Sequence, residues 1–345
     1  MGRRTWILAV GLLATLPVAD AIAWKIAVGR LETGFDAWAE AARTSQWSVA
    51  RGKVVASGWP WAATLRIDNV AIEGGNALVP GGASWFAPGL VLRIPLMRPR
   101  SMDIEVRGEQ RLRSGTTPEI RLTGSRLLAV AGLGSRDEPG DLEILAEQPK
   151  LTSDGGTLAS AERVRLYIEV PSAAGGAEGA RAFAFSTEGI VLPSSIRWPL
   201  GNTIARLDCD GTMEGPIPPP QAPSAWATAW RDGGGSLQLQ NLVLNWGPLS
   251  LTAAATLALD DQLQPMGAGT SRVTGYAATL DALANSGALS RSAATAAKAV
   301  LSLLAGVPGD GEPQDVDVPL TLQYRTLSMR QVPLLRLPEI EWPGP

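Results

Sequence analysis

The sequence predicts a mainly β (α+β) chain: an N-terminal membrane helix, then a curved antiparallel meander sheet with a few covering helices. Three observations carry this. An apolar run follows a basic start. From Trp47 onward, apolar and polar residues alternate with period two. Gly and Pro, 38 and 26 of them in 345 residues, punctuate that alternation at short intervals.

Residues 1–24 read as a membrane-targeting or anchor helix. Arg3 and Arg4 precede an apolar stretch from Trp6 to Ala19, and continuing through Asp20 to Trp24 brings it near the span of a bilayer core. The basic start favours a cytoplasmic N-terminus with the remainder outside. Two fates stand. Ala19-Asp20-Ala21 or Ala21-Ile22-Ala23 is a small-x-small cleavage site, which would leave a soluble periplasmic protein. Otherwise the helix stays as a single-pass anchor in the bacterial inner membrane, with Trp24 at the interface and the main domain in the periplasm. Asp20 lies near the helix end, where its cost is below the roughly 2.5–3.5 kcal/mol of a central charge.

Residues 25–46 read as an amphipathic helix. Ile26, Leu31, Phe35, Trp38 and Ala42 recur near helical spacing. The stripe suits packing on the sheet or lying along a membrane surface.

Residues 47–214 form an N-terminal β section. Leu65 and Ile67, Met102 to Val106, Ile120 and Leu122, and Val164 to Val170 alternate with charged or polar neighbours. Glu73-Gly74-Gly75-Asn76, Gly108, Asp137 to Asp141 and Asp154-Gly155-Gly156 fit tight connections. Residues 215–234 are a Pro-rich connector and a short helix that holds Trp226 and Trp230 four apart.

Residues 235–345 form a C-terminal β section, either in its own sheet or continuous with the first. Its clearest feature is a hairpin from Gly235 to Asp260 turning at Gly247-Pro248, with a bulge or twist where the period breaks at Gln240-Asn241. Small Ala residues on the return strand leave room for a helix or a ligand tail. The Ala-rich stretch 281–305 supplies a helix, capped by Asp281 and interrupted at Gly287.

Composition removes several chemistries. There is no histidine, so the commonest general base and metal ligand is absent. The single cysteine, Cys209, allows no intrachain disulfide, and Asp208 and Asp210 beside it would raise its thiol pKa. With 30 Lys and Arg against 33 Asp and Glu and no basic block, nucleic-acid binding is not expected. Two carboxylate pairs, Asp208/Asp210 and Asp260/Asp261, could in principle run hydrolysis or hold calcium, but the first suits a solvated strand face and the second a turn. Lys25, Lys53, Lys150 and Lys298 sit in no nucleophile motif. No catalytic, cofactor-binding or metal residue is assigned and no cofactor is expected.

Twelve tryptophans stand beside four Phe and three Tyr. Trp24, Trp38, Trp47, Trp59, Trp61 and Trp85 crowd the early chain, either as packing and turn stacking or as a membrane-proximal platform.

The Arg-led helix ending in Trp24, the Val54 to Pro60 segment and the strand after it, the Gly235 to Asp260 hairpin with Trp246-Gly247-Pro248-Leu249, and Val332 to Pro338 stand together in this chain. Together they resemble a bacterial family of uncharacterised proteins, domain-of-unknown-function family 2125. The resemblance implies an envelope location and supplies no catalytic residues. The layout is also similar to AsmA-like envelope proteins, whose sheets accommodate lipid. The expected function is therefore non-catalytic binding of a lipid or another envelope component on an apolar sheet face. The alternative is a structural or protein-interaction module with no groove, and a histidine-free hydrolase is the third reading.

Overall fold

The computed structural model describes residues 3–75, 81–115, 117–133, 139–170, 180–218, 221–304, 315–329 and 332–342. Helix α1 (Arg3–Thr44) leads into β1 (Trp47–Ala50) and β2 (Val54–Ser57), which lie in line and both pair with β3 (Ala62–Gly74). Strand β4 (Ala83–Pro95) pairs with β3 along its length. The next four sheet positions each hold two segments in line. These are β5 (Ser101–Arg107) with β6 (Gln110–Ser114), β7 (Ile120–Thr123) with β8 (Arg126–Leu133), β9 (Pro139–Glu147) with β10 (Lys150–Ser153), and β11 (Gly156–Ser160) with β12 (Arg163–Ile168). Then follow β13 (Arg181–Val191), β14 (Thr203–Glu214), helix α2 (Pro223–Asp232), β15 (Ser236–Trp246), β16 (Leu249–Leu259) and β17 (Pro265–Thr274). Helices α3 (Tyr276–Asn285) and α4 (Arg291–Leu304) precede β18 (Asp315–Gln323), β19 (Thr326–Met329) and β20 (Val332–Arg336).

All these strands join one antiparallel sheet, and each sheet position pairs with the next along the chain. The ladder runs through the Pro-rich stretch as well, because β14 and β15 pair along their length.

The in-line segments meet along a crease. Between β1 and β2, Gly52 donates its N–H to the Asp68 carbonyl at 2.7 Å. Asn69 in β3 and Gln148 between β9 and β10 take positive φ, 49° and 50°. Gly108 (φ 80°) and Gly189 (φ 62°) do the same in neighbouring positions. A side chain at Gly108 would press on the Pro88 ring, 3.0 Å from the place its Cβ would take. Each irregularity bends one strand and increases its twist. In register across adjacent strands, they bend the sheet.

Gly108 is therefore no hairpin turn but a break inside a long strand, and Pro139–Asp141 opens β9 rather than a loop. Asp137 and Glu138 lie outside the described residues, as does Asn76. Turns do occur at Asp154-Gly155 and Gly247-Pro248. The Gly235–Asp260 hairpin forms, and the register slips between Leu239 and Leu242, which places the bulge at Gln240-Asn241.

Helix α1 is continuous through Trp24. Its buried stripe is Val28, Leu31, Phe35 and Ala39, packed on β1 and β3. Ile26 and Trp38, expected on that stripe, are exposed, because the spacing that meets the sheet runs from Val28 in steps of three and four. The helix expected over 281–305 is two. Asp281 lies inside α3, which starts after Gly275 in the left-handed region (φ 74°), and Gly287 (φ 78°) falls in the break before α4. Lys298 pairs with Asp281 and ties α4 to α3. Trp226 and Trp230 stack within α2 at 6.1 Å.

Among the described residues no helix is long and apolar enough to cross a membrane. The apolar run from Trp6 to Ala19 falls where side chains lie outside the described residues, so the expected membrane helix rests on sequence.

Candidate functional site: an apolar sheet face covered only at its ends

Directly opposed residues in an antiparallel ladder point to the same side. Following the register from strand to strand therefore traces one face across the sheet. One row runs Leu65, Leu92, Ile104, Ala129, Ile144, Leu166, Phe185, Cys209, Leu242, Ala253, Ser271, Val318. A second runs Leu127, Ala146, Val164, Thr187, Leu207, Leu244, Leu251, Val273, Val316. A third runs Met102, Ala131, Leu142, Ile168, Phe183, Gly211, Leu239, Ala255, Gly269, Leu320, Met329. The period-two pattern of each strand thus adds to one apolar surface.

Helices cover this face at its two ends. At the first, Leu31 and Phe35 of α1 bury Leu65, Ile67, Leu90 and Leu92. At the second, Tyr276 and Leu280 of α3 and Leu301 of α4 pack on Val316, Val318 and Met329. Between them the face is open among the described residues, except where α2 meets the ends of β14 and β16. Among the described residues of β5 to β16, only Gln110, Thr187 and Gly211 are buried, while Ile144 keeps 36% of its surface. Leaving out β5, whose Met102, Ile104 and Val106 pack against the α1 core, and β16, which α2 and α3 touch, the open part spans six strand positions, about 24 Å at the usual strand spacing. That exceeds the roughly 15 Å depth of one bilayer leaflet. The face is therefore a shelf of half-exposed Leu, Ile, Val and Phe rather than a closed pocket.

The opposite face carries charge. Arg163 pairs with Glu188 at 3.1 Å and Arg272 with Asp317 at 2.9 Å. Tyr167 donates its hydroxyl to Asp141 at 2.9 Å, which raises the phenol pKa. A groove of about 650 Å³ lies near the β15 bulge, and Thr252, Arg272 and Asp317 line it. Its lining mixes polar and apolar groups and lies mainly on this charged side.

The acids weighed from sequence do not assemble a centre. Asp208 and Asp210 share the charged face, but Arg206 holds Asp208 at 2.5 Å and Asn241 donates to Asp210 at 3.2 Å. Asp260 accepts the N–H groups of Gln262 and Gln264 at 2.9 and 2.8 Å, a local turn. No group of three or more potential metal ligands occurs among the described residues. Cys209 lies on the apolar face, and its thiol pKa is raised, chiefly by burial and then by Asp210. The direction matches the sequence reading, but desolvation outweighs the neighbouring acid.

Thr187 Oγ1, in the middle of the apolar face, is buried with no hydrogen-bond partner among the described residues. It is closed to solvent beside the crease at Gly189, so it offers no handle to a ligand.

A family model described as "Uncharacterized protein conserved in bacteria (DUF2125)" matches residues 24–338. The chain belongs to this family. The match takes in the whole apolar face of this DUF2125 protein, from β1 through β20, and begins at Trp24 of α1. No curated protein and no solved structure matches the chain. The likeness to AsmA-like proteins thus stays at the level of layout.

Proposed function

We propose that this DUF2125 protein is an envelope protein, anchored in the bacterial inner membrane by the segment before Trp24, that holds a lipid or another apolar envelope component on the open part of its sheet face. One observation carries the reading: an apolar surface whose middle strands, among the described residues, carry no covering helix. Soluble monomers seldom leave an apolar patch larger than a few hundred Å² without a function for it. The shelf is long enough for an acyl chain laid across the strands. Its lining is chiefly aliphatic and aromatic, which suits a ligand recognised by apolar area.

Lipids extracted from the full chain, purified in mild detergent, test this by mass spectrometry. The wild type should retain a reproducible lipid complement. Ile144→Asp with Phe185→Asp places two charges in the middle of the shelf. This variant should keep its circular dichroism and lose most of that complement. Equal lipid retention by a folded variant, or none above detergent background in the wild type, would overturn the proposal.

A further inference from the structure

The two hairpin tips beside α1 carry residues poorly suited to water. The β2–β3 tip is Gly58-Trp59-Pro60-Trp61, with Trp59 52% and Trp61 76% exposed. The β4–β5 tip runs from Leu96 to Arg100, with Met97 89% exposed. Leu96 donates its N–H to the Trp61 carbonyl at 3.1 Å, so the tips form one patch. The indole of Trp24 donates to the carbonyls of Ala62 and Ser57 at 3.0 and 3.3 Å, which fixes α1 to the same patch. Single exposed apolar residues need no explanation, but three large ones on adjoining tips do.

On these two tips and the adjoining turn of α1 the exposed charge is basic. Lys25, Arg98 and Arg100 are exposed and form no ion pair among the described residues. Residues 58–61 and 96–100 contain no acid, and the nearest acid along α1 is Asp20, one turn before Trp24. Tryptophan beside Lys and Arg is the composition of a bilayer interface.

Helix α1 leaves the sheet at this same edge. From Trp24 at the tips it runs down β3, where Phe35 and Ala39 reach Val49 of β1 in the same core. Residues 3–23 therefore continue beyond the tips, about 32 Å of helix. The hydrocarbon core of a bilayer is about 30 Å thick.

We infer that these two tips seat the sheet on an anionic bilayer surface, with Trp59, Trp61 and Met97 in the interface and Lys25, Arg98 and Arg100 against lipid phosphates. The strands then stand upright on the membrane. This inference rests on the membrane-anchor reading above and adds the edge that faces the lipid.

Cys209 is the only cysteine, so a Cys209→Ala background accepts one spin label at Met97→Cys, or at Ser195→Cys on the β13–β14 connection at the other end of the sheet. The full chain is reconstituted in phosphatidylethanolamine–phosphatidylglycerol vesicles. Oxygen should reach the label at 97 several-fold better than a water-soluble nickel reagent does, and the label at 195 should show the reverse. Phosphatidylcholine vesicles, or Arg98→Glu with Arg100→Glu, should make the label at 97 shallower. If the chain floats with the vesicles while the label at 97 behaves like that at 195, the seat is wrong and the anchor survives. If depth at 97 ignores lipid charge and both arginines, the phosphate contacts are wrong. If the chain does not float with the vesicles at all, the anchor fails and the seat fails with it.

Discussion

Replacing Ile67 and Ile144 by alanine, one at a time, separates a sealed part of the sheet from an open part. Both side chains belong to the same apolar face, but Ile67 is 0% exposed beneath α1 and Ile144 is 36% exposed on the shelf. The change removes three carbons, and at about 0.8 kcal/mol per buried methylene the lost transfer energy is about 2.4 kcal/mol when burial is complete. At Ile67 a closed cavity adds to this, so the cost should be about 3–4 kcal/mol. At Ile144 roughly two thirds of the transfer term applies and no cavity closes, which gives about 1.5 kcal/mol. Urea unfolding of the full chain in detergent, followed by far-UV circular dichroism, reads both from the midpoint and slope. A gap of about 2 kcal/mol is expected. Equal destabilisation would mean that Ile144 is covered, and the open shelf would have to be abandoned.

Trp24→Phe keeps most of the ring and deletes the donor to Ala62 and Ser57; it should cost about 1 kcal/mol and speed protease cleavage in the Gly58–Trp61 tip. An unchanged cleavage rate would show that the indole does not hold that tip. Gly275→Ala forces φ 74° on a residue whose Cβ would lie 2.0 Å from the Pro248 carbonyl oxygen. It should cost about 2–3 kcal/mol and lower Tm, and an unshifted Tm would contradict the tight approach before α3. Cys209 titrates above its usual range, so the folded state favours the protonated thiol. That contribution is complete below the unfolded thiol's pKa of about 8.5 and fades as pH rises past it toward the folded value. Iodoacetamide should therefore modify the native chain more slowly than the urea-unfolded chain near pH 8.5, and equal rates would refute the burial.

The strands were legible because apolar and polar residues alternate within each one, as in Val164 to Ile168, and the bulge at Gln240-Asn241 showed as a break in that period. The joined face was not legible. Parity within a strand says which residues share a side, but only the register says that Ile144 continues into Leu166 and Phe185. The crease was hidden for the same reason: Gly108 looks like a turn until its neighbours Asn69 and Gln148 are seen to break at the same level. The start of α3 was missed because Gly275 precedes the helix through a left-handed backbone, whereas Asp281 carries the side chain usually seen at a cap. For α1 the error was one of phase. Ile26 and Trp38 are apolar enough to belong to the stripe, yet Val28 and Ala39 occupy it.

The meander has a kinetic consequence. Since every sheet position bonds to the next along the chain, no strand must wait for a distant segment before it can pair. Low sequence separation between partners shortens the search for them. Once α1 is set on β3, each newly delivered hairpin can zip onto a finished margin, so a polypeptide threaded end-first through a narrow passage could assemble in the order of its own synthesis.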